Sequence, residues 1–308
     1  MNAFVTGATG FVGKRLLRRL FLRGDHVSAL TRNRRHFSSA IETERLHIVE
    51  GDPGQPGPWQ AQCANMDALV TLAGEPLFAQ RWSTSVKDRL LDSRVESARQ
   101  MCAALSQLPP EQRPKTWVAA SAIGFYGSRG DEAVDEKSGP GDDFLSRLCV
   151  RWEEETQKAA SLGVRVVLLR IGIVLGNGGG VLAKMVPPFR AFVGGPLGSG
   201  QQFVSWIHLD DLIGLIEFAL ETPSVSGPLN ATAPKPVRMT TFAKTLGDVL
   251  HRPSRLAVPA LALRLALGEA ADVMLASQRV FPERALSMGY AFQYAELPAA
   301  LHSLLPSE

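Results

Sequence analysis

Cysteine is scarce in this sequence and never paired. Cys63, Cys102 and Cys149 are odd in number, widely spaced and without a CxxC pair. That pattern excludes a disulfide framework, offers no hint of a zinc or other metal site, and fits a reducing compartment. Long hydrophobic runs are missing too. The longest late apolar stretch, Leu261 to Leu275, is interrupted by Arg264, Glu269 and Asp272. It is too polar and short to span a bilayer and is expected to form a packed helix. The chain opens on a strand-like run with no basic start and no apolar leader core, so no signal peptide is expected and the chain reads as cytoplasmic. Charge of either sign is nearly balanced. A net charge of +3 is too small for a nucleic-acid footprint, so nucleic acid is not an expected partner, and without a spanning run neither is a membrane. No internal repeat and no low-complexity tail are visible.

What the sequence does contain is an ordinary globular mixture, 308 residues with 45% apolar and 20% charged side chains, enough for a sizeable core. Short apolar runs alternate with amphipathic segments. Ala3-Phe4-Val5, His26–Leu30, Leu46–Val49, Ala68–Leu72, Trp117–Ala120 and Val164–Leu169 read as buried strands. Val12, Leu16, Leu17, Leu20 and Phe21 share one helical face, and Ser93–Leu108 is helical in character. The alternation predicts an α/β fold, a Rossmann doubly wound parallel sheet with a smaller C-terminal lobe. Residues 1–170 are expected to form the nucleotide domain, with 204–230 returning to it. Residues 171–308 are expected to supply mainly the substrate-side lobe, with its glycine-rich loops at 176–180 and 194–200 and a helical, proline-punctuated end.

Gly7, Gly10 and Gly13 sit between the first strand and the first helix. Glycine there allows a tight turn and lets backbone N–H groups approach a pyrophosphate at the helix N-terminus. The spacing is GxxGxxG, not GxGxxG, and it is the strand–turn–helix context that points to a dinucleotide. The second strand ends at Thr31-Arg32, where an NAD site usually carries Asp or Glu for the ribose 2′-OH. A guanidinium at Arg32 suits a 2′-phosphate instead, so the expected cofactor is NADP. Asp52 is a candidate acceptor for the adenine amino group and equally a turn former before Pro53. Leu72, Ala73 and Gly74 end the fourth strand, where small residues admit the nicotinamide ribose.

Thr6-Gly-Ala-Thr-Gly-Phe-Val-Gly13 resembles the opening of extended short-chain dehydrogenase/reductases. Leu72-Ala-Gly-Glu-Pro76, Arg81-Trp82, Ser93-Arg94, Ser121-Ala-Ile-Gly-Phe-Tyr-Gly127, Gly194–Gly200 and Ser205-Trp-Ile-His-Leu-Asp210 narrow the likeness to an epimerase-family subgroup. Leu267-Gly-Glu269 through Gly289-Tyr290 resembles that subgroup's C-terminal domain of unknown function. The resemblance implies NADP binding, with Gly7, Thr9, Gly10, Phe11, Val12 and Gly13 on the pyrophosphate and Thr31 and Arg32 on the adenosine phosphate end. It places Asp52, Leu72, Ala73, Glu75 and Arg81 along the rest of the cleft, unless Glu75 and Arg81 form a surface ion pair.

Enzymes of this class pair a Ser with a downstream Tyr-x-x-x-Lys, whose lysine lowers the tyrosine pKa for proton exchange. Here Ser121 stands in the serine position, but the tyrosine register reads Phe144-Leu-Ser-Arg-Leu148. Tyr126 is the leading replacement proton donor, with packing beside Phe125 as the other reading; Arg147 is offset on the helix, and His208 is either a titrating or an orienting residue. Gly200-Gln201-Gln202-Phe203 lacks the arginine that clamps a nucleotide-sugar diphosphate, which favours a smaller, less anionic ligand. Trp82, Tyr126, Phe189 and Trp206 either line an apolar pocket or belong to the core. The expected function is an NADP-dependent oxidoreductase on a small-molecule carbonyl or hydroxyl substrate. A non-catalytic NADP(H) sensor or scaffold and a sugar epimerase or dehydratase are the alternatives, and a homodimer is the assembly left open.

Overall fold

The computed structural model describes residues 1–37 and 44–305. In chain order the first half runs β1 (Asn2–Thr6), α1 (Phe11–Leu22), β2 (His26–Thr31), β3 (Leu46–Glu50), β4 (Ala68–Thr71), α2 (Thr84–Gln107), β5 (Thr116–Ala122), β6 (Ala133–Val134), α3 (Phe144–Gln157) and β7 (Arg165–Ile171). The second half continues with β8 (Ile173–Leu175), α4 (Leu182–Arg190), β9 (Phe203–Val204), β10 (Trp206–His208), α5 (Leu209–Glu221) and β11 (Gly227–Ala231). It ends with β12 (Val237–Arg238), α6 (Met239–Leu250), α7 (Ala260–Leu267), α8 (Ala270–Leu275), β13 (Arg279–Val280), α9 (Glu283–Ser287) and α10 (Leu297–Leu304).

Seven strands form one parallel sheet in the order β3-β2-β1-β4-β5-β7-β11. Such a sheet must bury both faces, because each crossover helix lies on one of them. One face packs Leu69, Trp117 and Ala119 against α2 and α3, and the other packs Val5, Val118 and Val167 against α1 and α5. The chain leaves β1 toward β2 and β3, then reverses to β4, β5 and β7. That reversal opens a crevice at the carboxyl ends of β1 and β4, where ligands of open α/β sheets bind. A third cluster, built on Val186, Trp206, Phe242 and Leu301, joins α4, α6 and α10 into the smaller lobe.

Two sequence expectations change. Helix α2 starts at Thr84, well before Ser93, because the Ser83 hydroxyl accepts from the Val86 amide (3.3 Å) and caps it. The Leu261–Leu275 stretch is two helices, broken at Gly268 with φ +63°, and not one packed helix. No residue of α7 is buried, and Leu261 and Leu265 stand 69% and 70% exposed. Among the described residues no helix is long and apolar enough to cross a membrane.

Candidate functional site

The crevice is built on a turn that only glycine permits. Gly7 has φ +73°, and a Cβ there would stand 2.7 Å from the Ala73 nitrogen at the end of β4. A Cβ on Gly13 would meet the Gly7 carbonyl at 2.1 Å, so α1 packs flat on the turn. Gly10 is the N-cap of α1 and donates its own amide to the Gly7 carbonyl at 3.0 Å. No side chain caps the first turn, and no acid lies in it. The amides of Phe11 and Val12 and the positive end of the helix dipole therefore face the groove beside Thr9, which suits a pyrophosphate.

Thr31 is buried at the end of β2, where its hydroxyl accepts from the Asn33 amide (3.2 Å). Arg32 is 67% exposed, and its Nη1 lies 3.3 Å from Glu75 Oε1. Because β1 lies between β2 and β4, this pair reaches across the mouth of the groove. The arginine partner of Glu75 is thus Arg32, while Arg81 instead lies against Gly268 at the end of α7. Asp52 uses Oδ1 to accept from the Gly54 amide (2.9 Å), the turn-forming role.

Leu72 donates its amide to the Thr6 carbonyl (3.1 Å), bringing the Leu72-Ala73-Gly74 segment beside the glycine turn. Two residues on α2 fasten the next position. Arg94 Nη2 donates to the Glu75 carbonyl (3.0 Å), and the Ser93 hydroxyl accepts from the Glu75 amide (3.2 Å). Burial lowers the Arg94 pKa from its ordinary value. Sequence reading marks Ser93-Arg94 as a motif without a role; their contact with residue 75 depends on the α2 register.

The Ser121 and Tyr126 hydroxyls are both hydrogen-bonded to partners inside the fold. The Ser121 hydroxyl donates to Glu153 Oε1 on α3 at 2.6 Å. Glu153 is also held in two parallel bonds by Arg170 at the end of β7, at 2.9 and 2.8 Å. Tyr126 is 0% exposed; its hydroxyl donates to Asn230 Oδ1 at 2.7 Å and accepts from Arg170 Nη1 at 3.1 Å. Burial pushes its phenol up to about 12. The Arg170 guanidinium lies 3.4 Å from the centroid of the Phe125 ring. These groups form a buried polar spine through β5, α3, β7 and β11, and Tyr126 belongs to it as a packed, hydrogen-bonded residue.

Phe144 and Leu148 lie four residues apart on α3. Trp82 meets Phe144 edge-on at 5.2 Å, and Lys87 Nζ of α2 stands 5.5 Å from the centre of the Phe144 ring. Lys87 also pairs with Glu269 of the C-terminal lobe. Arg147 points outward and bonds the Asp142 carbonyl. Of the four aromatics weighed for an apolar pocket, Tyr126, Phe189 and Trp206 are core residues, and only Trp82 is partly exposed.

His208 caps α5: its Nδ1 accepts from the Asp210 amide (3.0 Å), its Nε2 meets the Ser303 hydroxyl (3.2 Å), and its ring stacks on Tyr294. Burial lowers its pKa, so it is an orienting residue and a poor cation. The glycine loop at 176–180 wraps the ring of Phe11, which fixes the smaller lobe against the turn. Among the described residues no group of three or more His, Cys, Asp or Glu side chains is arranged to hold a metal ion.

Residues 3–231 match the NAD dependent epimerase/dehydratase family, and residues 258–304 match a domain of unknown function, DUF1731. The chain is 42% identical to the epimerase family protein SDR39U1 homolog, chloroplastic, of Arabidopsis thaliana, covering 99% of this chain and 87% of that one. It is 38% identical to the epimerase family protein YfhF of Bacillus subtilis, over 99% and 98% of the two chains. The crystal structure of human epimerase family protein SDR39U1 (isoform 2) with NADPH superposes with a TM-score of 0.86 at 34% identity, covering 99% of each chain.

Proposed function

The chain belongs to the NAD dependent epimerase/dehydratase family, and from that premise we propose that it binds NADP(H) over the Gly7–Gly13 turn and acts as an oxidoreductase on a small carbonyl or hydroxyl compound. The observation that carries the reading is the groove itself. It combines a glycine turn with no room for a Cβ at Gly7 or Gly13, an uncapped helix end, and Arg32 where an NAD site would carry an acid. A human relative crystallised with NADPH supports the same choice.

In this reading Gly7, Gly10 and Gly13 cradle the pyrophosphate, and Arg32 exchanges Glu75 for the 2′-phosphate. Leu72 and Ala73 admit the nicotinamide ribose. The bound nicotinamide supplies or accepts the hydride. The protein's own contribution is to hold a proton near the reacting oxygen. Lys87 is the candidate, since its ammonium stands over the ring of Phe144, the residue in the tyrosine register of the sequence.

Calorimetry tests the binding half: wild type is expected to prefer NADPH to NADH, and no affinity for either cofactor sinks the proposal. Oxidation of NADPH with a panel of aldehydes, ketones and quinones tests the chemistry. Lys87→Met is expected to remove turnover while leaving NADPH affinity intact. A second reading, a non-catalytic NADP(H) sensor, draws on Ser121 and Tyr126, whose hydroxyls are both committed to the buried spine. Tight NADPH binding with no turnover across the whole panel would select it.

A further inference from the structure

Seven large apolar side chains stand exposed among the described residues, and five of them come from two short segments: Phe192, Val193, Leu256, Leu261 and Leu265. The fold joins these segments. The Leu256 amide donates to the Gly194 carbonyl (3.3 Å), that of Val258 to Pro196 (2.9 Å), and Leu197 bridges Val258 in parallel. Leu261 and Leu265 lie on α7, four residues apart and therefore on one face. Water-exposed patches of this kind mark contact surfaces.

The two patch segments carry cations and no acids of their own. Residues 156–209 and 249–268 contain no Asp or Glu. Arg252, Arg255 and Arg264 fall in the second patch segment, and the Arg252 guanidinium lies 4.8 Å from the centre of the Phe192 ring. Of these three, Arg264 is met by an acid, Asp272 of α8 at 3.0 Å. A two-fold contact centred on Arg252 and Arg255 would bring their guanidinium groups together, which disfavours self-association there. A nucleic acid would find the cations but not a use for three exposed leucines. An anionic lipid surface satisfies both.

We propose that this face docks on the surface of an anionic phospholipid bilayer, with α7 lying in the interface plane, Leu261 and Leu265 among the upper acyl chains and the arginines at the headgroups. At eight residues α7 lies flat and cannot span. Absence of a spanning run, the ground for expecting no membrane partner, does not bear on a helix in this position. The inference is independent of the nucleotide reading.

The test is cosedimentation of the full chain with phosphatidylcholine vesicles, with and without phosphatidylglycerol, at low and high salt. Wild type is expected to sediment with the anionic vesicles at low salt and not with phosphatidylcholine alone. Leu261→Asp with Leu265→Asp is expected to weaken binding by at least about tenfold, from lost apolar burial. Arg255→Glu is expected to weaken it by roughly fivefold or more, the attraction of one surface cation being lost. Unchanged thermal unfolding and NADPH affinity show that the variants fold. If wild type stays in solution with anionic vesicles, the proposal is overturned in favour of an acidic protein partner. Binding that ignores the leucine changes overturns it as well.

Discussion

The ring of Phe11 stands where a side chain on Gly179 would go: a Cβ there would lie 2.4 Å from the ring's Cδ2. Gly176 is equally tight, at 2.6 Å from Cζ. Phe11 opens α1 immediately after the phosphate turn, so the loop of the smaller lobe and the nucleotide groove share one side chain. Gly179→Ala must move that ring. We expect a loss of about 1–3 kcal/mol in stability from overpacking and a weaker affinity for NADPH in the same variant. Thermal unfolding and calorimetry read the two effects. Wild-type values for both would mean that the loop yields without disturbing the turn.

Arg32 and Glu75 make opposite predictions. Arg32→Ala removes the cation facing the 2′-phosphate and should cost NADPH roughly 1.5–3 kcal/mol, the range of a hydrogen bond to a charged group, while NADH binding stays level. Glu75→Gln frees Arg32 from an exposed ion pair, worth at most about 1 kcal/mol, so NADPH should bind slightly tighter. A loss shared equally by both cofactors in Arg32→Ala would show that the guanidinium does not choose between them.

The spine formed by Ser121, Glu153 and Arg170 should respond unevenly to truncation. Arg170→Leu leaves the Glu153 carboxylate buried without its partner, a change expected to cost about 3–5 kcal/mol. Ser121→Ala removes a single hydroxyl donor and should cost about 1 kcal/mol. Urea denaturation measures both. Similar losses for the two variants would mean that the ion pair is less isolated from water than its geometry indicates.

His208 ties stability to pH. Burial lowers its folded pKa below the ordinary 6.5, so the unfolded chain takes up the proton first as pH falls. The stability contributed by the neutral ring is therefore complete above about 6.5 and drains away as pH drops through the folded value. His208→Asn keeps an N-cap acceptor for the Asp210 amide but does not titrate. Melting temperatures measured from about pH 8 to 5 should fall less steeply in the variant. Parallel curves would place the acid sensitivity elsewhere.

The strands, the glycine turn and the missing tyrosine–lysine pair are legible in the residue order because each is a local matter. Period and run length mark β1, β4 and β5, Gly7 and Gly13 are dictated by a few neighbouring atoms, and Phe144 cannot titrate in any fold. Arg32 is similarly plain, because it comes directly after a strand whose end must face the nucleotide. What local order leaves open is direction. On β5 successive side chains point to opposite faces, so only the sheet register decides that Ser121 turns to Glu153 of α3. Tyr126 meets Asn230, and Glu75 meets Arg32, through contacts between segments distant in sequence. Likewise, the leucines of α7 look like core in a row of letters. Burial depends on what the rest of the chain brings to lie against a side chain, and among the described residues Leu261 and Leu265 stay exposed while Leu263 and Leu267 are half-buried.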